Sequence, residues 1–446
     1  MSFPKYEAYK DSGVEWLRAV PEHWRFKPIW SLFHRTKKTG YPDEQLLSVY
    51  RNFGVIIKSS RDDNFNKPSD DLSSYQLVEP GDLTINKMKA WQGSVAISDF
   101  RGIVSPAYHI YSPKHDQDSR YLHHLFRCSE YITGYLANSK GIRVNQWDLE
   151  PQQHSRMPVL LPPLSEQTQI ARFLDHETAR IDALIAEQQR LIELLKEKRQ
   201  AVISHAVTKG LDPTAPMKDS GVEWLGEVPE HWDVVPLKHK STCNNQTLSD
   251  VTPEDYEIEY VEISDVDEVQ GIIRTTSYIF SDAPSRARRV VQDGDVLIST
   301  VRTYLRAIAP ANNPPKNLIA STGFAVIRPQ ENGLGREYLG YLLRAEWWIA
   351  EIISQSVGVS YPAINASDLV GIKVPVPTAS EQTQIAHFLD HETTRIDALI
   401  AEAHTGISLL QERRSALISA AVTGQIDVRG WQAPVSPVPT LEAAYG

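Results

Sequence analysis

Two stretches of the chain carry apolar residues at the spacing of a coiled coil. The apolar positions recur in steps of three, four and seven, which places them along one stripe of an α-helix. They are Ile170, Leu174, Ile181, Leu184, Leu191 and Leu195 in the first stretch, and Ile385, Leu389, Ile396, Leu399 and Leu410 in the second. We expect two long helices that cover each other's stripes in antiparallel orientation. The polar run 175–178 and Gly406 are the expected weak points.

The second helical stretch repeats the first almost residue for residue. Ser165–Glu187 recurs at Ser380–Glu402, with only two of the 23 positions different. A shorter signature upstream of each stretch is also repeated: Lys10–Leu17 and Val20–Trp24 recur at Lys218–Leu225 and Val228–Trp232. A period of more than 200 residues is too long for a solenoid. The chain is therefore predicted to be an internal duplication with pseudo-two-fold symmetry.

The segment between each signature and its helix has the mixed pattern of an α+β body. Short apolar runs predict strands at Leu83–Asn86, Val296–Ser299 and Phe324–Ile327, and amphipathic spacing predicts helices over 121–136 and 337–354. The expected fold is two globular bodies joined by the two long helices. The predicted segments are 1–160 (first body with its signature), 161–212 (first helix and linker), 213–379 (second body), 380–424 (second helix) and 425–446 (flexible tail).

Charge is divided unevenly among these segments. The formal net charge of −10 weighs by itself against a nucleic-acid partner. Residues 1–160 nevertheless carry a net charge of +3, and residues 274–306 of the acidic second body hold six bases against three acids. A basic face is therefore possible on each body. Two cysteines, with no secretory signal and no spanning apolar run, make a reduced cytoplasmic protein without membrane contact the default expectation.

Catalytic motifs are incomplete or missing in this sequence. Asn313-Pro-Pro starts like an amino-methyltransferase motif, but Lys316 stands where the aromatic residue that stacks on a base is needed. His176-Glu177 starts like a zinc-protease helix, but Arg180 stands where the second histidine is needed, and the second copy differs in the same way. No Gly-Lys-Ser/Thr phosphate loop occurs. We expect no catalytic residue and no metal site in this chain.

The repeated residues resemble those of one known family. The pattern Ser-Glu-Gln-x-x-Ile-Ala-x-x-Leu-Asp, followed by Thr-x-x-Ile-Asp-x-Leu-Ile, is similar to the conserved helical region of type I restriction-modification specificity subunits, and the Val-Pro-Glu-His-Trp signature opens many of them. The match occurs twice, in order, and spans nearly the whole chain. The resemblance implies two target-recognition domains that each read one half of a split sequence in double-stranded DNA. It also implies that the two long helices dock two modification (methyltransferase) subunits.

The same resemblance places the chemistry outside this chain. S-adenosylmethionine, ATP and Mg would belong to the modification subunits and to the restriction (helicase-nuclease) subunits. The chain itself is expected to be a non-catalytic recognition subunit. Two alternatives stay open from the residues alone. One is a protein-binding scaffold with two recognition globules on a helical spacer, and the other is a stand-alone enzyme with unrecognised chemistry.

The choice of DNA-binding candidates depends on residue chemistry, because the two bodies have diverged. Arginine and lysine pair with guanine or with phosphates, and asparagine and glutamine pair with adenine. The candidates in the first body are Lys58, Arg61, Lys87, Lys89, Trp91, Lys140, Arg143 and Gln146, and those in the second are Arg274, Arg286, Arg288, Arg289, Arg302, Arg306 and Tyr361. For each cation a solvated surface position is the competing interpretation, and for Trp91 it is a packing role. Lys89 and Arg302 occupy matching places in the two bodies.

Overall fold

The structure is a computed structural model, and it describes residues 3–61, 67–141, 147–331 and 333–434. The chain divides into two compact units. Unit 1 comprises residues 1–188 and 405–446, and unit 2 comprises residues 189–404. Each unit therefore contains one of the two diverged bodies together with part of each long helix.

Unit 1 is an α+β body built around a four-stranded antiparallel sheet. Its strands are β1 (Tyr9–Lys10), β2 (Val20–Pro21), β3 (Arg25–Pro28), β4 (Phe33–Thr36), β5 (Leu47–Tyr50), β6 (Gly54–Ile57), β7 (Gln76–Val78), β8 (Leu83–Asn86), β9 (Val95–Ile97), β10 (Gly102–Val104), β11 (Tyr108–Pro113), β12 (Ser139–Lys140), β13 (Asp148–Leu149) and β14 (Pro158–Leu161). Its helices are α1 (Ile29–Leu32), α2 (Ser119–Arg127), α3 (Ser129–Ala137), α4 (Pro151–Arg156) and the first part of α5 (Leu164–Lys209). The order in the main sheet is β4-β11-β8-β9.

Unit 2 repeats this sheet and adds a second one. Its strands are β15 (Met217–Asp219), β16 (Glu227–Pro229), β17 (Asp233–Pro236), β18 (Ser241–Cys243), β19 (Glu257–Val261), β20 (Val266–Asp267), β21 (Gly271–Ile272), β22 (Thr276–Ile279), β23 (Ala287–Val290), β24 (Val296–Ser299), β25 (Ile308–Pro310), β26 (Leu318–Ser321), β27 (Phe324–Pro329) and β28 (Lys373–Val376). Its helices are α6 (Arg336–Leu342), α7 (Glu346–Gln355), α8 (Ala366–Leu369) and the first part of α9 (Ala379–Val422). The order β18-β27-β24-β25 matches the sheet of unit 1, whereas β22-β19-β26-β23 is an additional sheet.

The same turn precedes the equivalent strands β8 and β24. The Asp82 carboxylate accepts a hydrogen bond from the backbone N–H of Glu79 at 2.9 Å, and Asp295 accepts one from Gln292 at 2.7 Å. The intervening glycines have φ of 92° and 86°, the left-handed region that favours glycine. The turn residues that recur in sequence therefore have a structural role.

Both long helices run without interruption, α5 for 46 residues and α9 for 44. The polar run 175–178 does not break α5, and the buried Thr178 hydroxyl donates to the Leu174 carbonyl at 2.7 Å. Gly406 also lies inside a continuous helix. In each unit the start of one long helix packs beside the end of the other, as Ile170 does with Val422 in unit 1. The antiparallel pairing predicted from the stripes is confirmed within each unit.

Most of the predicted stripe is buried. The buried members are Ile170, Leu174, Ile181, Leu195, Ile385, Leu389 and Ile396, and Leu410 is half-buried. Leu184, Leu191 and Leu399 are exposed at 46%, 43% and 42%, so their assignment to the stripe is wrong. The next residues, Ile185 and Ile192, face inward instead. One residue along a helix is a rotation of about 100°, and adjacent apolar residues left that choice open in the sequence.

Two further predictions need correction. The predicted single helices 121–136 and 337–354 are each two helices, because Cys128 and Ala345 adopt extended backbone with ψ of 161° and 141°. The bend lets aromatic residues of both α2 and α3, such as Tyr121 and Tyr135, reach one core. Residues 425–431 pack against the core rather than forming a flexible tail, since Val428 is only 1% exposed and Ile426 and Trp431 are half-buried. Residues 435–446 lie outside the described residues.

Candidate nucleic-acid interface

The repeated signature fastens each body to the start of its long helix. In unit 1 the Glu166 carboxylate accepts hydrogen bonds from Trp24 Nε1 at 3.0 Å and from the Tyr6 hydroxyl at 2.5 Å. His23 Nε2 lies 2.9 Å from the same carboxylate. Trp24 is fully buried, so its indole N–H needs an internal partner. The His-Trp pair of the signature and the Glu of the helix start are therefore one anchoring cluster.

Unit 2 builds the same cluster from the repeated residues. Glu381 accepts from Trp232 Nε1 at 3.1 Å and lies 2.8 Å from His231 Nε2. It also accepts from the Thr378 hydroxyl at 2.7 Å. Burial alone would raise the pKa of the Glu381 carboxyl, but these hydrogen bonds favour the charged form and hold the pKa at about 2.

The glutamine that follows each anchoring glutamate joins a second helix to the same point. Gln167 accepts through Oε1 from the backbone N–H of Asp118 at 3.1 Å, just before α2. Gln382 accepts in the same way from Gly335 at 2.6 Å, just before α6. The Ser-Glu-Gln repeat thus has a structural explanation in both units. Residues that distinguish one body from the other must be sought away from this anchor.

Divergent segments meet at one side of the β18-β27-β24-β25 sheet in unit 2. The backbone N–H of Thr300 donates to Gly323 O at 2.8 Å, that of Arg302 donates to Pro362 O at 2.7 Å, and that of Thr322 donates to Arg286 O at 2.8 Å. The first two bonds join the turn after β24 to the turn before β27 and to the hairpin that follows α7, and the third joins the turn before β27 to residue 286. We call residues 284–287, 299–306, 321–324 and 357–363 the recognition edge.

Arg302 and Tyr361 form the exposed centre of this edge. The Arg302 guanidinium carbon lies 4.8 Å from the centre of the Tyr361 ring, which is a cation–π contact. Arg302 also has φ of 52°, which is uncommon for a residue with a side chain. Strained backbone of this kind is often found at binding sites. In the part of the chain that the structure describes, no carboxylate pairs with Arg302.

Among the described residues, most of the other candidate arginines of unit 2, unlike Arg302, pair with carboxylates. Arg274 pairs with Asp265, Arg288 with Asp250 at 3.7 Å, and Arg306 with both Glu346 and Glu268. Arg289 is half-buried. An arginine held by carboxylates has fewer donors left for a base. Arg286 is exposed on the recognition edge, so Arg286, Arg302 and Tyr361 are the candidates that the structure brings together.

Unit 1 has the same arrangement after β8. The backbone N–H of Leu149 donates to Lys87 O at 3.0 Å, as that of Ile364 donates to Thr300 O in unit 2. Lys89 is exposed at the position of Arg302. The Nζ atoms of Lys87 and Lys140 lie 3.8 Å from Asp148 and 3.4 Å from Glu150, respectively, in and just after β13, which pairs with β12. These three lysines therefore share one edge.

The remaining candidates of unit 1 lie elsewhere. Trp91 packs against Trp147 with ring centres 4.9 Å apart and donates to Met88 O, which is the packing role weighed for it. Lys58 and Arg61 are on the segment after β6, where the Arg61 guanidinium lies 4.6 Å from the Phe53 ring. Arg143 and Gln146 lie outside the described residues.

Sequence reasoning missed the apolar residues of the recognition edge. Tyr304 and Leu305 are exposed in the 3-10 turn after Arg302, and Val357 and Val359 are exposed in the hairpin. Exposed apolar side chains grouped on one edge are typical of an interaction site. No sequence signal marked these residues, because apolar residues beside a strand are usually assigned to the core.

Two other kinds of site are absent from the described ranges. No group of histidine, cysteine, aspartate and glutamate side chains there could hold a metal ion. No helix in those ranges has the length and apolar character that crossing a bilayer requires.

Known proteins are similar to this chain in sequence and in fold. A family profile described as the type I restriction modification DNA specificity domain matches residues 21–194 and 229–404. The type I restriction enzyme MjaVIII specificity subunit of Methanocaldococcus jannaschii is 25% identical, over 96% of this chain and 98% of that protein.

Solved structures show the same architecture. A chain from work titled "Structural basis underlying complex assembly and conformational transition of the type I R-M system" has a TM-score of 0.66 at 17% identity, covering 91% of this chain and 99% of that one. The crystal structure of the HsdS subunit from Thermoanaerobacter tengcongensis has a TM-score of 0.50 at 19% identity, covering 91% and 98%. At this level of identity the likeness concerns the fold.

Proposed function

Because the chain belongs to the type I restriction-modification DNA specificity family, we propose that it is the sequence-reading subunit of a type I restriction-modification complex. Each body recognises one half of a bipartite target in double-stranded DNA. The observation that carries the proposal is the contrast between the two units. Their anchoring clusters share the same His-Trp pair and glutamate, whereas the corresponding edges present Lys89 in unit 1 and Arg302 with Tyr361 in unit 2.

The recognition edge has the chemistry of base reading. An arginine reads guanine by donating two hydrogen bonds to O6 and N7 in the major groove. Arg302 is suited to this because it is exposed and its guanidinium lies beside the Tyr361 ring. Arg286 and Lys89 are placed to hold phosphates, contacts that position a protein without reading sequence. The net charge of −10 implies that partner subunits supply much of the phosphate attraction.

The long helices carry the partner surface. Leu184 and Leu399 are the same position of the repeat and are both exposed, although each lies on a helix whose inner side is packed. Two equivalent exposed leucines suit two copies of one partner. Modification subunits bind here, and they supply S-adenosylmethionine and methyl transfer. Restriction subunits supply ATP-driven translocation and cleavage with Mg.

The binding experiment uses the chain assembled with its modification subunits. Its affinity for a duplex bearing the host's methylation motif should exceed that for a scrambled duplex by about 10³-fold or more. The affinity should fall steeply with salt, because phosphate contacts release counterions. Equal, salt-independent binding of both duplexes would instead favour the protein-scaffold alternative.

A further inference from the structure

One position of the repeated helix is covered in unit 1 and bare in unit 2. Phe173 and Phe388 occupy the same place in the duplicated sequence. Phe173 is 0% exposed, whereas Phe388 is 40% exposed. Because 21 of the 23 positions of this block are identical, the difference comes from what packs against the helix and not from the helix itself.

The cover in unit 1 is made by two terminal segments. The rings of Phe3 and Trp431 stand edge-on to Phe173, with centres 5.3 and 5.2 Å away. The Gln169 side-chain amide donates to the carbonyls of Val428 and Trp431 at 3.1 and 2.6 Å. The helix face therefore binds an extended segment in two ways. An aromatic ring packs on the phenylalanine, and an amide holds the backbone beside it.

The duplicated face in unit 2 keeps the same groups without the cover. Gln384 stands where Gln169 stands and is exposed, and its amide has only a 3.5 Å contact with Ser380 Oγ among the described contacts. His391 corresponds to His176, whose ring lies 5.3 Å from Trp431. We call Gln384, Phe388 and His391 the Phe388 face.

The cause of the difference lies in the connecting segments. Unit 1 has two segments near its helix start, residues 3–10 and 424–434. Unit 2 has one connector there, residues 210–218, which contains no aromatic residue. The helix face that terminal segments cover in unit 1 is therefore uncovered in unit 2.

We propose that the Phe388 face is the docking site of an extended, tryptophan-bearing segment of a modification subunit; this rests on the proposed function. The tryptophan packs edge-on against Phe388, and two backbone carbonyls of the segment accept hydrogen bonds from the Gln384 amide. Unit 1 supplies the chemistry of the occupant, since residues 428–431 fill the duplicated site there. A second copy of this chain is a poorer occupant, because its own segment already binds Gln169.

A peptide with the sequence of residues 426–434 tests the face directly. It should bind the full chain saturably, and Phe388→Asp should weaken this binding about tenfold or more, as loss of a central aromatic contact does. A peptide carrying Trp431→Ala should bind the wild-type chain more weakly by a similar factor. The matched control is Leu409→Asp, an exposed apolar residue of α9 whose counterpart Leu194 is also exposed. Peptide binding that is indifferent to Phe388→Asp and Gln384→Ala would overturn the proposal.

Assembly with modification subunits tests the occupant. Native mass spectrometry should show that the wild-type chain binds two subunits, and that Phe388→Asp weakens one of them about tenfold or more while thermal unfolding is unchanged. Excess 426–434 peptide should displace the same subunit. If the wild-type chain binds no modification subunit, the proposed function fails and this proposal with it. If both subunits bind Phe388→Asp as well as wild type, this proposal alone fails.

Discussion

The guanidinium of Arg199 donates a hydrogen bond from Nε to Oδ1 of Asp397 at 3.0 Å. The duplicated positions form the same pair in unit 1, where Arg414 Nε donates to Asp182 Oδ1 at 2.9 Å. Each arginine comes from the later part of one long helix, and each aspartate comes from the earlier part of the other. The duplication thus uses one contact twice, once within each unit, to hold the antiparallel helices.

The two pairs should contribute unequally to stability. Arg199 is only 9% exposed, so Asp397→Ala leaves a largely buried charge unpaired and should lower the free energy of unfolding by about 2–3 kcal/mol. Asp182→Ala is the matched control, because its partner Arg414 is more exposed, and it should cost about 0.5 kcal/mol. Chemical denaturation measures both. Equal losses would show that burial of Arg199 does not set the strength of the pair.

The stability that the anchoring cluster of unit 2 contributes should be lost in acid. The pKa of Glu381 is about 2 when folded, below its ordinary value near 4.5, so the charged form stabilises the fold. That contribution is complete above about pH 4.5 and decreases as pH falls toward 2. Glu381→Gln should lower the free energy of unfolding by about 2 kcal/mol at pH 7. The difference in free energy of unfolding between Glu381→Gln and wild type should shrink as the pH falls from about 4.5 to 2.

The control for this experiment is Glu412→Gln on the exposed side of α9. It should change the free energy of unfolding by no more than about 0.5 kcal/mol at any pH. A Glu381→Gln difference that stays constant from pH 7 to 2 would mean that the carboxylate is not what holds the signature.

Arg302 should determine one base of the target. Arg302→Ala in the assembled methyltransferase should cost about 1–3 kcal/mol of discrimination at a single guanine in one half of the target. Arg302→Lys should not restore it, because lysine lacks the two-pronged donor geometry. Arg336→Ala, an exposed arginine outside the recognition edge, is the control. Sequencing of methylated DNA reads the outcome, and unchanged base preference in Arg302→Ala would remove this residue from the interface.

The chain alone should be catalytically silent. Purified without partners, it should neither transfer methyl groups nor cleave DNA nor hydrolyse ATP. Adding modification subunits should restore methyl transfer only. Turnover by the lone chain, retained after stringent removal of partner subunits, would contradict the assignment of the chemistry to those subunits.

The duplication, the antiparallel helices and the strands flanking the recognition edge could all be predicted from sequence. These features depend on local periodicity and on repetition, which are visible in one chain. The orientation of Leu184 against Ile185 could not be predicted, because adjacent apolar residues satisfy the helical pattern equally well. The bends at Cys128 and Ala345 were also hidden, since tertiary packing and not glycine or proline ends those helices. Among the candidate cations, sequence could not show which ones are paired with carboxylates, as Arg306 is with Glu346.

The central claim is that the two bodies read separate halves of one target. The most direct test replaces residues 25–160 by the corresponding body of a relative and maps the methylated motif of the assembled complex by long-read sequencing. The predicted result is a motif with one half changed, while the other half and the length of the unread gap between the halves stay the same. A motif in which both halves change, or in which neither does, would contradict the account.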